Sequence, residues 1–160
     1  MRKIVSLLLA FLLALSVYGQ QRKGYVFDQV EIGTPYNEVE EALVTRYGNP
    51  TKKDESQIVY HKKSFCQYQY DVLHFNFHEG KLSEVRLYSQ QPTFAKAQQE
   101  MEKIAKVINA TWELSKDREG RYTWFYVGGI APNGIGHLLT LHTYPSGKGQ
   151  RTELRFGPFR

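Results

Sequence analysis

The chain has 160 residues, a formal net charge of +5 and a single cysteine, Cys66. One cysteine excludes an intramolecular disulfide framework, and basic residues that are scattered rather than clustered argue against a nucleic-acid surface. The length suits one ordinary domain, which buries about two-thirds of the surface of its unfolded chain. We therefore expect one domain without a nucleic-acid partner.

The first 19 residues have the layout of a secretory signal peptide. Two basic residues precede an uncharged apolar run over 4–17, and small residues follow before Gln20. The run is short for a membrane span, and no lipidated cysteine follows it. A buried N-terminal helix is the alternative. We predict a signal peptide over 1–19 and a single exported domain over 20–160, periplasmic or extracellular, with no transmembrane segment after cleavage.

Two segments show the apolar spacing of amphipathic helices. The first follows Thr34, a predicted N-cap, with Pro35 at the first helical position, and it ends at Gly48, which suits a left-handed C-terminal residue. The second follows another predicted N-cap, Thr93, and its apolar stripe extends to Ile108. Both segments are therefore predicted to be helices with one buried face.

Most of the remaining chain alternates apolar and polar residues, as half-buried strands do. The turn "HEGK" predicts a hairpin with Gly80 at positive φ. The stretch "SEVRL" (83–87) matches "TELRF" (152–156) class by class, and the glutamates Glu84 and Glu153 each precede an arginine by two residues. Cross-strand Glu–Arg pairs would account for these glutamates. The match indicates an internal repeat, although two independent amphipathic hairpins would give the same pattern.

These patterns together predict an α+β fold of tandem helix-plus-antiparallel-meander units, with the helices packed on one face of the sheet. The first unit covers 24–90 and the second, degenerate unit covers 91–160. Neither unit can bury its apolar face well alone, so we expect the two to share one core.

The first half also resembles a known group of exported proteins. The likeness rests on a capped helix, its stop and a hairpin: Ile32, Gly33, Glu38, Val39, Leu43, Gly48 and Pro50, then Phe77, Gly80, Lys81 and Leu82. This pattern is similar to that of the small outer-membrane lipoprotein A and β-lactamase-inhibitory-protein-like group. The chain has a longer helix end and lacks the lipidated cysteine of the lipoprotein members. The resemblance implies an exported α+β binding module whose open sheet face contacts protein partners.

Three polar residues, His74, Asn76 and His78, alternate with apolar residues along one predicted strand. Alternation places them on the open face of the sheet, together with Arg86 and Tyr88 of the next strand. Histidines four residues apart on a strand lie roughly 13 Å apart, too far to bind one metal ion. We therefore predict a partner-binding surface there and no metal, with unpaired histidines that titrate near pH ~6.5.

Tyr122, Trp124 and Tyr126 alternate on a later predicted strand, with Phe125 and Val127 between them. If Phe125 and Val127 are buried, the aromatic stripe joins the open face as a set of binding anchors. If the strand is inverted, Trp124 is in the core. Periodicity alone leaves both orientations open, and we include the three aromatic residues as candidate binding residues.

No residue pattern specifies a catalytic nucleophile, a cofactor or a metal. Cys66 and His61 form a conceivable thiolate pair, but their spacing across a loop defines no geometry. We predict a non-catalytic, cofactor-free protein-binding module of the cell envelope, with inhibition of the partner as one form of its action. An accessory protein of envelope assembly or stress is one alternative, and a metal- or cysteine-dependent hydrolase is another.

Overall fold

The computed structural model describes residues 25–27, 30–131 and 134–158, so the predicted signal peptide over 1–19 lies outside the described residues. Within the described chain, no helix combines the length and the apolar character needed to cross a membrane.

The described residues form two α-helices and ten β-strands. The helices are α1 (Tyr36–Tyr47) and α2 (Phe94–Ile108). The strands are β1 (Tyr25–Phe27), β2 (Val30–Glu31), β3 (Lys52–Asp54), β4 (Gln57–Phe65), β5 (Tyr68–His78), β6 (Lys81–Gln91), β7 (Ser115–Glu119), β8 (Tyr122–Ala131), β9 (Gly134–Ser146) and β10 (Gly149–Phe156).

Eight of these strands form one antiparallel sheet in the order β3-β4-β5-β6-β10-β9-β8-β7, and β1 and β2 form a separate two-stranded ladder. The α+β class and the antiparallel sheet predicted from the sequence are confirmed. The two four-stranded meanders meet where β6 pairs with β10, which places Arg86 opposite Arg155 and Leu87 opposite Leu154. This junction lies at the centre of the sheet.

The start of α1 differs from the prediction. Thr34 does not cap the helix: Pro35 occupies the N-cap position, and no side-chain hydrogen bond caps the helix in the described structure. The Thr34 hydroxyl instead accepts a hydrogen bond from the backbone N–H of Glu31 at 3.2 Å. A threonine hydroxyl can accept a hydrogen bond from the backbone of a preceding turn as well as from the first turn of a helix. Here it accepts from the turn that precedes α1.

The other predicted helix and turn signals are confirmed. The Thr93 hydroxyl accepts from the backbone N–H of Lys96 at 3.3 Å and so caps α2. Gly48 ends α1 with φ of 78°, and Gly80 takes φ of 72° in the β5–β6 hairpin. Both backbone conformations favour glycine because it has no Cβ.

One hydrophobic core connects both helices with the sheet. Leu73, Phe75 and Phe77 of β5 are buried in it, as the alternation predicted. The same cluster includes Val39 and Leu43 of α1, Met101, Ile104 and Ile108 of α2, and Leu141, Leu154 and Phe156 of the last two strands. The residues that alternate with core residues at the centre of β5, β6, β9 and β10 lie on the other side of the sheet. We call the surface that they form the polar face; its residues are His74, Asn76, Glu84, Arg86, Tyr88, Thr140, His142, Tyr144, Arg151, Glu153 and Arg155.

Candidate functional site

Two arginines lie directly opposite each other at the centre of the polar face, Arg86 on β6 and Arg155 on β10. Because the pairing is antiparallel, each arginine lies diagonal to the glutamate two residues before the other. Arg86 Nη2 is 2.9 Å from Glu153 Oε2, and Arg155 Nε is 3.7 Å from Glu84 Oε1. The predicted Glu–Arg pairs are therefore present, and each connects one half of the chain to the other.

Glu153 is the most deeply buried charged group of the polar face, with 1% of the residue exposed. Its Oε2 accepts hydrogen bonds from Arg86 Nε at 3.2 Å, from Arg86 Nη2 at 2.9 Å and from the Tyr144 hydroxyl at 2.7 Å. Arg151 donates to the Tyr144 hydroxyl at 3.2 Å, and its guanidinium lies 3.9 Å from the centroid of the Tyr88 ring. Burial and the bond to Glu153 raise the pKa of Tyr144. These contacts hold two arginines and two tyrosines in defined positions.

His74 and Asn76 lie on the polar face as predicted, but neither is unpaired. His74 Nε2 is 2.9 Å from the side-chain oxygen of Gln57, so Nε2 is the donor. Asn76 Nδ2 donates to Glu84 Oε2 at 3.0 Å. Burial and the nearby charge of Arg86 lower the pKa of His74, so the prediction of a free histidine near pH 6.5 is wrong for this residue.

His78 differs from His74 because it ends β5 and is exposed. Its Nε2 lies 4.0 Å from the Glu79 carboxylate, in the turn to β6. Within the part of the chain that the structure describes, no three His, Cys, Asp or Glu side chains are grouped so that they could hold a metal ion. The two histidines of the β5 pattern therefore occupy different surroundings, one within the polar face and one at its edge.

The orientation of β8, which periodicity left open, is decided by Phe125. Phe125 is buried and pairs in register with Leu141 of the core, so Trp124 and Tyr126 point to the side of the polar face. Both are half-buried. Tyr122, in contrast, packs edge-on against Phe94 at the start of α2, with the ring centroids 5.3 Å apart.

The predicted binding residues therefore do not form one cluster. The positions of His74 on β5 and Trp124 on β8 are four strand spacings apart, about 19 Å at the usual spacing. The Arg86–Glu153 network lies between them. The polar face thus contains a central charged cluster with a histidine and amide region on one side and an aromatic region on the other.

Several residues of this central cluster were not among the candidates from the sequence: His142, Tyr144, Arg151, Glu153 and Arg155. They alternate with buried leucines, threonines and a phenylalanine along β9 and β10, so their common face was visible in the sequence. The sequence does not show that this face lies next to Arg86, because that proximity depends on the pairing of β6 with β10.

His142 lies beside Tyr144 with their ring centroids 5.3 Å apart. Burial lowers the pKa of His142; the carboxylate of Glu153 opposes this effect, and the charges of Arg155 and Arg86 add to it. A histidine in these surroundings favours its neutral form. His142 therefore contributes a ring that can donate or accept a hydrogen bond, rather than a fixed charge.

Cys66 lies in the β4–β5 turn and is half-buried. Burial raises the pKa of its thiol to about 11, although Arg46 acts in the opposite direction. Since the thiolate is the nucleophilic form, a thiol held protonated at neutral pH is a weak nucleophile. His61 is exposed within β4 and pairs in register with Val72. Cys66 and His61 therefore belong to different parts of this hairpin, the thiol to the turn and the imidazole to the strand.

Comparison with protein-family models, with curated proteins and with solved structures finds no significant match to this chain. The geometry of the polar face is therefore the basis for a functional assignment.

Proposed function

We propose that this chain is an exported, non-catalytic protein of the cell envelope that binds a protein partner through its polar face. The observation that carries the proposal is the ordered central cluster, in which Arg86 and Arg151 are held by Glu153, Tyr144 and Tyr88. Arginine and tyrosine, with tryptophan, are the residues most often found as energetic anchors of protein interfaces.

The rigidity of the cluster favours binding. Arg86 makes two hydrogen bonds to one carboxylate oxygen, and Arg151 rests on the Tyr88 ring. Long side chains that are ordered before the partner arrives lose less conformational entropy on association. The half-buried Trp124 and Tyr126 add aromatic area at the β8 side of the same surface.

The interpretation of the chain as a tandem repeat belongs to the same proposal. The order of elements supports it: α1 precedes β3–β6, and α2 precedes β7–β10. The strand order is also symmetric about the β6–β10 junction, where the matched stretches "SEVRL" and "TELRF" lie side by side. A sheet of this kind would present one continuous face from both units to a partner, as the resemblance to the β-lactamase-inhibitory-protein-like group implies.

Site-specific crosslinking in intact cells tests the binding surface. A photoreactive benzoyl-phenylalanine replaces Trp124 on the polar face or, as a matched control, Val107 on the exposed side of α2. We expect one defined crosslinked protein from position 124 and none from position 107. The purified partner should then bind the wild-type protein saturably, and Arg151→Ala should weaken this binding about tenfold or more, as expected for an anchor residue. Equal crosslinking from both positions would contradict the proposal.

Export is tested separately by intact-mass measurement of the protein recovered outside the cytoplasm. We expect a mature chain that begins near Gln20 or Gln21, since the small residues before this point suit signal-peptide cleavage. Recovery of the chain with residues 1–19 retained, or only from the cytoplasm, would contradict export.

A further inference from the structure

The two opposed arginines of the polar face are not equally satisfied. Arg86 makes hydrogen bonds to Glu153, whereas Arg155 reaches Glu84 only at 3.7 Å, beyond hydrogen-bond distance. Glu84 is already engaged by Asn76. Arg155 Nε is buried and has no hydrogen-bond partner among the described residues, while 34% of the side chain remains exposed. A guanidinium has five N–H donors, so Arg155 can still donate to a ligand.

Arg155 lines a cleft of about 340 Å³ that opens between β8 and β9. The β8–β9 ladder starts at Phe125 and Leu141, and the cleft lies just beyond that point, where Trp124 and His142 line it. The remaining lining residues are Tyr122, Thr123, Thr140 and Thr143.

Thr140 supplies a second polar group without a partner. Its Oγ1 is buried and makes no hydrogen bond to the described part of the chain. A buried hydroxyl that lacks a partner is costly, and a ligand that accepts its hydrogen bond would remove that cost. Arg155 and Thr140 also lie opposite each other in the β10–β9 register, so both can reach one group in the cleft.

The charge of the surface determines which ligand group fits. The centre of the polar face has three arginines and two glutamates, an excess of one positive charge. Glu153 accepts from Arg86 through Oε2, while its buried Oε1 has no partner among the described residues, and Glu84 accepts from Asn76. A carboxylate matches the planar fork of a guanidinium and accepts two of its N–H groups. The aromatic side of the cleft suits the apolar part of a residue next to that carboxylate.

We propose that this cleft receives an acidic side chain, Asp or Glu, of the protein partner, with its carboxylate bound by Arg155 and Thr140 and with a neighbouring residue against Trp124. This inference rests on the proposed function and adds the chemistry of the partner's contact: an acidic residue exposed next to an apolar one.

Peptide titration followed by NMR tests the cleft without the partner. The probes are acetylated, amidated pentapeptides that contain a phenylalanine next to a central Glu, Asp or Gln, and sodium acetate is the probe for a free carboxylate. We expect saturable shifts of the Trp124 indole N–H, with the Glu and Asp peptides binding at least about tenfold more tightly than the Gln peptide. Acetate alone should bind more weakly than either acidic peptide, because it does not contact Trp124.

Two variants test whether the preference for acidic peptides arises at the cleft. Arg155→Gln should remove the preference for Glu over Gln, and Thr140→Val should weaken the Glu peptide about fivefold, as expected for one lost hydrogen bond. Arg118→Gln, which removes the same charge from an exposed position on β7, should leave the preference unchanged. Far-UV circular dichroism of each variant verifies that it is folded.

Equal binding of the Glu and Gln peptides, or an unchanged Glu preference in Arg155→Gln, would overturn the proposed cleft. A crosslinked partner at position 124 would in that case still support the proposed function. A peptide preference that depends on Arg155, without any crosslinked partner, would overturn the proposed function and leave the cleft as a site for acidic peptides.

Discussion

Glu153 is a charged residue almost entirely removed from solvent, and its Oε2 accepts all three of its hydrogen bonds. Burying a carboxylate is unfavourable unless other groups compensate its charge. Arg86 and Tyr144 supply this compensation from two different strands. The position of Arg86 in the polar face therefore depends on the buried carboxylate of Glu153.

Glu153→Ala should lower the free energy of unfolding by about 3 kcal/mol, because it leaves Arg86 partly buried without its counter-charge. The control is Glu84→Ala, whose ion pair to Arg155 is longer. Because Glu84 also accepts a hydrogen bond from Asn76, its cost should be about 1–2 kcal/mol, smaller than that of Glu153→Ala. Urea denaturation of both variants measures the difference. Equal losses of stability would show that the two ion pairs contribute alike and would contradict this expectation.

The histidines His74 and His142 connect stability to pH. Their pKa values in the folded protein lie below the value of about 6.5 for an unfolded histidine, mainly because of burial. Between these values the unfolded chain binds more protons than the folded chain. Their contribution to stability is therefore fully present above about pH 6.5 and is lost as the pH falls through the lowered pKa values.

We expect the urea midpoint of the wild-type protein to fall between pH 7.5 and pH 5.5, and the His74→Gln/His142→Gln variant to lose less over the same interval. Asp54 does not interfere, because its bonds to Ser56 and Gln57 hold its pKa at about 2. The midpoints of both proteins at the two pH values provide the measurement. An equal fall in both would assign the acid sensitivity to other groups.

Among the strands, β5 has one face in the core and the other on the polar face. Leu73 and Phe75 are buried completely, while the adjacent His74 and Asn76 make their contacts on the polar face. The edge strands β3 and β7 have no such division, and all their residues are exposed. Short edge strands with charged residues discourage pairing with another chain.

Phe75→Ala should cost about 3–5 kcal/mol in the free energy of unfolding, because the large ring leaves a cavity in a packed core. The adjacent His74→Gln is the control on the opposite face of the same strand, and its cost should stay below about 1 kcal/mol. Thermal or urea unfolding of both variants gives the comparison. Similar costs for the two substitutions would contradict the assignment of faces.

At the scale of the whole molecule, the core crosses the junction between the two meanders. Trp112 stacks on Phe65 of β4 and contacts Phe156 of β10 edge-on. Thr152 of β10 donates a buried hydrogen bond to the Ala97 carbonyl of α2. Among the described residues, the buried apolar side chains of both meanders belong to one cluster, apart from Leu138, and we therefore expect these residues to unfold as one cooperative unit.

A variant with a single tryptophan tests this cooperativity. In Trp124→Phe the remaining indole, Trp112, reports on the shared core, while far-UV circular dichroism reports on the secondary structure of both halves. The urea midpoints from fluorescence and from circular dichroism should coincide. Two separate midpoints would mean that one meander unfolds before the other.

Features that depend on neighbouring residues could be predicted from the amino-acid sequence. The Thr93 cap, the positive φ of Gly48 and Gly80, and the two faces of β5 follow from local backbone chemistry and from the two-residue period of a strand. The Thr34 cap was predicted wrongly, because a hydroxyl beside a turn can bond the turn instead of the helix.

The contacts between distant strands could not be predicted in this way, because they depend on strand pairing across the whole sheet. The Arg86–Glu153 contact joins residues 67 positions apart and exists because β6 pairs with β10 in one register. The alternation of polar and apolar residues assigns each residue to one face of the sheet. It does not determine which strand lies next to it, because many strand orders are compatible with the same alternation. The orientation of β8 was settled in the same way, by the packing of Phe125 against the core rather than by its period. The central cluster and the cleft at Arg155 therefore follow from long-range pairing, which the local pattern does not encode.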